Sequence, residues 1–110
     1  MNLEKIKRLL GLARRSNNLM SGEDSCLKAI KKGKASLVII SEDASDNTFK
    51  RISDKCSYRK IVLLKLFNRY ELGSIIGKKF AVVLAVIDIN FSNGILSEVG
   101  GIPIAKEKSV

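Results

Sequence analysis

The chain has 110 residues and a mass of 12.1 kDa, and 45% of its residues are hydrophobic and 28% are charged. This size and polarity are typical of one soluble domain, which excludes a multi-domain organisation. The longest apolar run, residues 80–87, is far shorter than the roughly 20 residues of a membrane-spanning helix. The N-terminus mixes charges of both signs and has no apolar signal core, so we expect a cytoplasmic protein.

The charge is strongly positive and unevenly distributed. Lysine and arginine number 20 against 11 acidic residues, which leaves a net charge of +9. Residues 1–34 carry +6, residues 35–79 carry +4 and residues 80–110 carry −1. A basic field of this kind attracts phosphate backbones, so nucleic acid is the first class of partner to expect. The alternative is a charge that only keeps the protein soluble.

Two helices are predicted at the start of the chain. Apolar residues recur at i, i+3, i+7 and i+10 from Leu3, which predicts an amphipathic helix over residues 3–15. After a short link at residues 19–20, Ser21 and Asp24 form a capping-box pattern. This pattern predicts a second helix that starts at Gly22 and stops at Gly33, a residue suited to the left-handed C-terminal position.

Three bounded apolar runs, residues 35–40, 61–66 and 81–87, predict strands that are buried on both faces. Helices are predicted between them over residues 46–59 and 68–77, with a last short helix over residues 91–99. Alternating strands and helices indicate an α/β/α sandwich with a mostly parallel sheet and functional loops at one end. We expect residues 1–99 to form one domain and residues 100–110 to be a flexible C-terminal tail.

The residue inventory argues against an enzyme. There is no histidine, hence no ordinary Ser-His or Cys-His nucleophile pair, and no phosphate-binding glycine motif follows a strand. Cys26 and Cys56 fall on apolar helix faces, where buried thiols are commoner than a zinc site or a disulfide. Glu42, Asp43 and Asp46 cluster after the first long strand, where loop and N-cap roles are commonest. We therefore expect no catalysis, no metal and no cofactor.

Basic side chains repeat along one side of two predicted helices. Such a seam is either a phosphate track or an ordinary solvated face, and charge periodicity alone does not separate the two. The seams consist of Lys7 with Arg14, Arg8 with Arg15, and Arg51 with Lys55 and Arg59.

The start of the second helix is a more localised candidate. Gly22 lets RNA approach the backbone, and the unpaired amides of a helix N-terminus attract phosphate. Asp24 and Ser25 can form hydrogen bonds with base edges while Lys28 supplies positive charge. The alternative is a self-contained helix start, in which Asp24 and Lys28 form an i, i+4 pair.

Several segments together resemble a known family. The set is similar to the bacterial YlxQ-type proteins, a group within the superfamily of kink-turn RNA-binding ribosomal proteins that includes the large-subunit proteins L7Ae and L30e. The resemblance covers residues 3–97. The segments are LGLARR (10–15), SGED (21–24), LKAI (27–30), LVIISEDAS (37–45), and ELGSIIG (71–77) before VVLAV (82–86).

The resemblance implies an L30e-like α/β/α sandwich with a four-stranded mixed sheet, in which residues 19–21 are a fourth strand. It also implies an RNA site that combines the first turns of the second helix with the loop at residues 77–82. The RNA-binding residues expected on this basis are Gly22, Glu23, Asp24, Ser25, Lys28, Lys32, Gly77, Lys78, Lys79, Phe80 and Ala81.

The helix motif of the kink-turn binders is Gly-x-Asn-Glu-x-x-Lys, and this sequence departs from it in part. Gly22 and Lys28 match the motif, whereas Asp24 and Ser25 stand where Asn and Glu would be. A serine hydroxyl does not span a guanine edge as a longer glutamate carboxylate does, so the change bears on kink-turn specificity.

The loop differs as well. Kink-turn binders commonly place aliphatic and acidic residues there, against a flipped nucleotide, whereas Lys78 and Lys79 add two phosphate-seeking charges. Phe80 either stacks on a base or fills the core, and the apolar run after it favours the core.

These observations predict a non-catalytic, ribosome-associated RNA-binding protein that recognises a bent or bulged, kink-turn-like RNA. The expected partners are ribosomal or other structured RNA and the ribosome, with no membrane, and the expected state is a monomer. Two alternatives stay open. One is a protein-interaction adaptor on the ribosome or the RNA-processing machinery, and the other is a recognition partner of an RNA-modifying enzyme, by analogy of fold alone.

Overall fold

The computed structural model describes residues 1–99, which contain five helices and four strands. The third helix has the predicted bounds, and the last begins earlier than predicted because Asp88 caps it. The predicted tail, residues 100–110, lies outside the described residues. Within residues 1–99, no helix is both long and apolar enough to span a membrane. The elements are α1 (Leu3–Arg15), β1 (Leu19–Ser21), α2 (Glu23–Lys31), β2 (Leu37–Ile40), α3 (Asp46–Arg59), β3 (Val62–Lys65), α4 (Arg69–Ile75), β4 (Val83–Val86) and α5 (Ile89–Ser97).

The four strands form one mixed sheet in the order β1-β4-β2-β3. β2 and β3 are parallel, whereas β4 is antiparallel to both of its neighbours. The mostly parallel sheet predicted from the alternation of elements is therefore wrong, and the mixed four-stranded sheet implied by the resemblance is confirmed. The reason is that the loop after α4 returns to the start of that helix, where the N–H of Ala81 donates to the carbonyl of Arg69 at 2.9 Å. β4 therefore starts at the end of the sheet where β3 finishes.

Side chains of the strands alternate between two layers of helices. Leu37 and Ile39 pack with α1, α4 and α5 on one face of the sheet, and Val38 and Ile40 pack with α2 and α3 on the other. Both faces are thus covered, which explains why the strands are continuous apolar runs rather than alternating ones. The predicted three-layer α/β/α arrangement is confirmed.

The two cysteines lie in the layer formed by α2 and α3. Both are free thiols and fully buried, as predicted from their positions on apolar helix faces. Burial raises the pKa of Cys26 and of Cys56 to about 12. The protonated thiols act as small apolar side chains of the core.

Candidate nucleic-acid interface

One end of the sheet brings together the segments that carry most of the expected RNA-binding residues. β1 finishes at this end and β4 begins there, because Ser21 pairs with Leu84 in the register. The N–H of Gly22 donates to the carbonyl of Val83 at 3.2 Å. The start of α2 and the loop of residues 77–82, here called the α4–β4 loop, therefore emerge side by side.

A side-chain contact joins the two segments directly. The ammonium group of Lys78 donates to the hydroxyl of Ser21 at 3.3 Å. Between the segments lies a groove of about 260 Å³, here called the loop groove. Its lining residues are Ser21, Gly22, Glu23, Thr48, Lys78, Phe80, Ala81, Val82 and Val83.

The first turn of α2 is left open by its N-cap. Gly22 is the N-cap residue, with a φ of 94° that favours glycine, and no side chain in the described part of the chain caps the helix. The capping box predicted for Ser21 and Asp24 is therefore wrong, because Ser21 belongs to β1 and its hydroxyl faces Lys78. The first N–H groups of α2 are available to an anion.

The two acidic side chains in this first turn have different surroundings. The carboxylate of Glu23 accepts a hydrogen bond from the Thr48 hydroxyl at 3.2 Å and forms an ion pair with Arg51, both on α3. Asp24 is exposed and has no ion pair or side-chain hydrogen bond within residues 1–99, so the alternative Asp24–Lys28 pair is not formed. Glu23 thus fastens α2 to α3, and Asp24 faces solvent.

The α4–β4 loop is held close against α4 by Gly73. A Cβ atom at this position would lie 2.5 Å from the Cα of Phe80 and 2.8 Å from the carbonyl oxygen of Lys78. The N–H of Lys78 in turn donates to the carbonyl of Gly73 at 2.8 Å. Sequence reasoning did not assign a role to Gly73, although a glycine inside a helical pattern was a signal of such a close approach.

The side chains of the loop point in different directions. Phe80 is 56% exposed, so the expectation that it fills the core is wrong, whereas Ala81 is 7% exposed and packs in the core with Leu72. Ala81 rather than Phe80 supplies the buried side chain, because the backbone of Phe80 lies directly against α4 at Gly73. Lys78 and Lys79 are exposed, Lys78 lines the loop groove together with Phe80, and Gly77 makes the turn with a φ of 73°.

Comparison with known proteins places the chain in a family. The model of the ribosomal protein L7Ae/L30e/S12e/Gadd45 family matches residues 4–96. The chain belongs to this family. "RNA-binding protein YlxQ" of Bacillus subtilis (strain 168) is 47% identical over 89 residues, 81% of this chain and 89% of the relative. "RNA-binding protein YlxQ" of Enterococcus faecium is 36% identical over 91 residues, 83% of this chain and 87% of the relative.

A solved structure has the same fold as this L7Ae/L30e-family chain. It is described as the structure of a protein with unknown function from Bacillus halodurans C, and it superposes with a TM-score of 0.82 at 41% sequence identity. The match covers 84% of this chain and 94% of the other. The family resemblance inferred from the motifs and the fold that it implied are thereby confirmed.

The two basic seams predicted from the sequence, on α1 and α3, lie outside the loop groove. Arg51 is paired with Glu23, and Arg59 donates to the carbonyl of Lys31 at 2.5 Å, so both residues join α3 to α2. The seam on α1 lies on the opposite face of the sheet from α2, and the ammonium group of Lys7 lies 5.5 Å from the centre of the Phe67 ring. Neither seam is part of the loop groove.

Among the acidic residues after β2, Asp43 has a structural partner, Arg69. The carboxylate of Asp43 accepts a hydrogen bond from the N–H of Arg69 at 3.1 Å and one from its Nε at 3.3 Å. Desolvation acts to raise the pKa of Asp43, but the hydrogen bonds and charge outweigh it and the pKa is lowered. Asp46 lies in the first turn of α3, which Ser45 caps. Within residues 1–99, no three candidate ligand side chains form a metal site.

Proposed function

We propose that this family member is a non-catalytic, cytoplasmic and ribosome-associated RNA-binding protein that recognises a bent or bulged, kink-turn-like RNA. The observation that carries the proposal is the contact between Lys78 and Ser21, which joins the α4–β4 loop to the start of α2. It places an uncapped helix N-terminus next to exposed lysines, and both attract phosphate. The names of the YlxQ relatives support RNA as the ligand.

The side chains that we propose to contact RNA divide into two roles. Lys28, Lys78 and Lys79 are exposed, and they hold phosphates without reading sequence. Asp24 reads a base: an ionised carboxylate only accepts hydrogen bonds, so it selects an edge that presents amino or imino groups. Such an edge is accessible where a bulge or a bend unstacks the base.

Salt-dependent binding to a synthetic RNA tests the positions of the phosphate contacts. The probe is a duplex interrupted by a three-nucleotide bulge, with a continuous duplex of equal length as its control. Replacement of Lys28, Lys78 and Lys79 by alanine should make the fall of log K with log salt shallower. The magnitude of the slope should decrease by about 2 to 3, since each phosphate contact contributes roughly 0.7 to 0.9.

A matched triple variant distinguishes binding at specific lysines from binding that depends only on the net charge of the protein. Replacement of Arg15, Lys31 and Lys55 by alanine removes the same charge from the last turns of α1 and α2 and from α3. This variant should keep the wild-type slope. Equal losses in both triple variants would mean that net charge alone binds the RNA, and the site would be refuted.

The role of Asp24 is tested by the difference between the two RNAs. Asp24→Ala should reduce the preference for the bulged RNA by about 5- to 150-fold, because a base contact of this kind contributes roughly 1–3 kcal/mol. Its affinity for the continuous duplex should not fall, since a negative charge is removed. An unchanged preference for the bulged RNA would refute base reading by Asp24.

Co-sedimentation tests the ribosome association. The wild-type protein should sediment with purified ribosomal subunits, and the Lys28, Lys78 and Lys79 variant should remain in the supernatant. Sedimentation of this variant with the subunits would instead favour an adaptor that docks by protein contacts.

A further inference from the structure

A second groove opens on the side of α2 that faces the edge strand β1. It has a volume of about 450 Å³, within the range of about 300–1,000 Å³ that is usual for small-molecule sites. We call it the lysine groove. Its apolar surface comes from Met20, Ala29 and Ile87, and its polar lining comes from Ser25, Lys28, Lys32 and Lys34.

The charge of this groove is of one sign. Among the lining residues that the structure describes, three are lysines and none is acidic. Lys28, Lys32 and Lys34 are exposed, and within residues 1–99 none of them forms an ion pair. The groove therefore offers uncompensated positive charge above an apolar surface.

Its position makes it a continuation of the proposed RNA site. β1 is an edge strand, so the side of Met20 away from β4 has no neighbouring strand within the described sheet, and Met20 is 40% exposed. Lys28 lies on α2 one turn after Asp24 and lines the lysine groove, and Lys32 follows one turn later. From Asp24 to Lys32 the helix axis advances about 12 Å, a distance that a short single-stranded segment spans.

We propose that the lysine groove holds an unpaired nucleotide of the bound RNA. The face of its base packs on Met20 and Ile87, and its phosphates lie between Lys32 and Lys34. This assignment rests on the proposed function, because Lys28 lines the lysine groove and is also one of the residues proposed above to hold phosphates. The contact with the base is apolar and every base has such a face, so the groove has little sequence preference.

A single-stranded probe tests this groove apart from the bulged RNA. The probe is an octamer of uridines with one 4-thiouridine, whose binding is followed by fluorescence anisotropy and whose crosslinks are mapped by mass spectrometry. Crosslinks should fall on β1, which contains Met20, and on α2 beside it. Crosslinks confined to the α4–β4 loop, or no binding of the octamer, would overturn the proposal.

Variants at the groove provide the second readout. Met20→Glu should weaken octamer binding at least 10-fold, whereas Met20→Leu should retain it, because Met20 is partly exposed and the leucine keeps the apolar surface. Lys32→Ala with Lys34→Ala should lower the salt slope by about 1.4, since each contact with a single strand contributes roughly 0.7. The double variant Lys31→Ala, Lys55→Ala is the control of equal charge.

The two proposals fail in different ways. If bulged RNA requires Lys78 and Lys79 while the octamer is insensitive to Met20→Glu, the lysine groove is refuted and the proposed function stands. If the octamer requires Met20 and Lys32 while the bulged RNA is insensitive to Lys78 and Lys79, the groove stands and the site at the loop groove is refuted.

Discussion

Replacement of Gly73 by alanine tests whether the close approach of the α4–β4 loop to α4 positions the proposed site. The added Cβ would lie 2.5 Å from the Cα of Phe80 and 2.6 Å from its backbone nitrogen. Carbon atoms in contact are separated by about 3.5–4.0 Å, so the loop backbone must move by about 1 Å. Because the neighbouring atoms are backbone, no side-chain rotation relieves the clash.

The magnitude follows from two opposing terms. Overpacking of a close contact costs about 1–3 kcal/mol, and alanine in a helix gains up to about 1 kcal/mol over glycine. Gly11 is the matched control, because it lies inside α1 and, within residues 1–99, no atom beyond its chain neighbours and its own helix backbone lies within 4 Å of the Cβ that alanine would add. Gly11→Ala should therefore stabilise the protein by about 0.5–1 kcal/mol, and Gly73→Ala should be less stable than Gly11→Ala by about 1–3 kcal/mol.

Two assays complete this test. Urea unfolding gives the free energy of unfolding of both variants, and anisotropy with the bulged RNA gives their affinity. A displaced loop moves Lys78 from Ser21 and turns Phe80, so Gly73→Ala should bind RNA more weakly than Gly11→Ala. Equal stability and equal affinity of the two variants would refute the reasoning, because the loop would then tolerate the added atom without consequence.

Three further predictions concern other parts of the molecule. Phe80→Ala should change the free energy of unfolding by less than about 0.5 kcal/mol, because the side chain is exposed. The same variant should weaken RNA binding by about 1–3 kcal/mol if the ring stacks on a base. A loss of stability near 3 kcal/mol would mean instead that the ring is buried in the core. Arg51→Ala should cost no more than about 1 kcal/mol of stability, since its ion pair with Glu23 is partly exposed, and the cost measured by urea unfolding should shrink at high salt. Cys26 and Cys56 should resist alkylation in the native protein, and rapid native labelling at pH 8 would contradict their burial. The contribution of these two thiols to stability should be constant below about pH 9 and fall as the pH rises toward 12, because the folded state holds the thiol protons more tightly than the unfolded state does.

The parts of the fold that depend on local pattern were predictable from the sequence. The helix over residues 46–59 has the predicted bounds, because its apolar spacing and the N-cap Ser45 act within a few residues of one another. The burial of both cysteines followed from helical spacing in the same way. Failures occurred where a local pattern competed with a distant partner: Ser21 resembled an N-cap, but the pairing of β1 with β4 placed it in a strand.

The expected site was also predictable in part. The resemblance implied that both segments belong to the RNA site, and the sheet brings them together. The resemblance did not show which residues within the two segments have which role. Glu23 turns toward Arg51, which lies on another helix, and Phe80 turns outward because Gly73 admits its backbone to α4. Met20, Lys34 and Ile87 were not among the expected residues, since their shared groove joins three elements that are separated along the chain.

The sequence by itself determined the positive charge, the composition that lacks histidine, the apolar strands and the spacing of the helices, because each is a property of residues that are close along the chain. Only the tertiary structure decided the direction of β4, the contact of Lys78 with Ser21 and the outward position of Phe80. The physical reason is that these features arise from hydrogen bonds and steric contacts between segments far apart in sequence, and no short-range pattern encodes which segments meet.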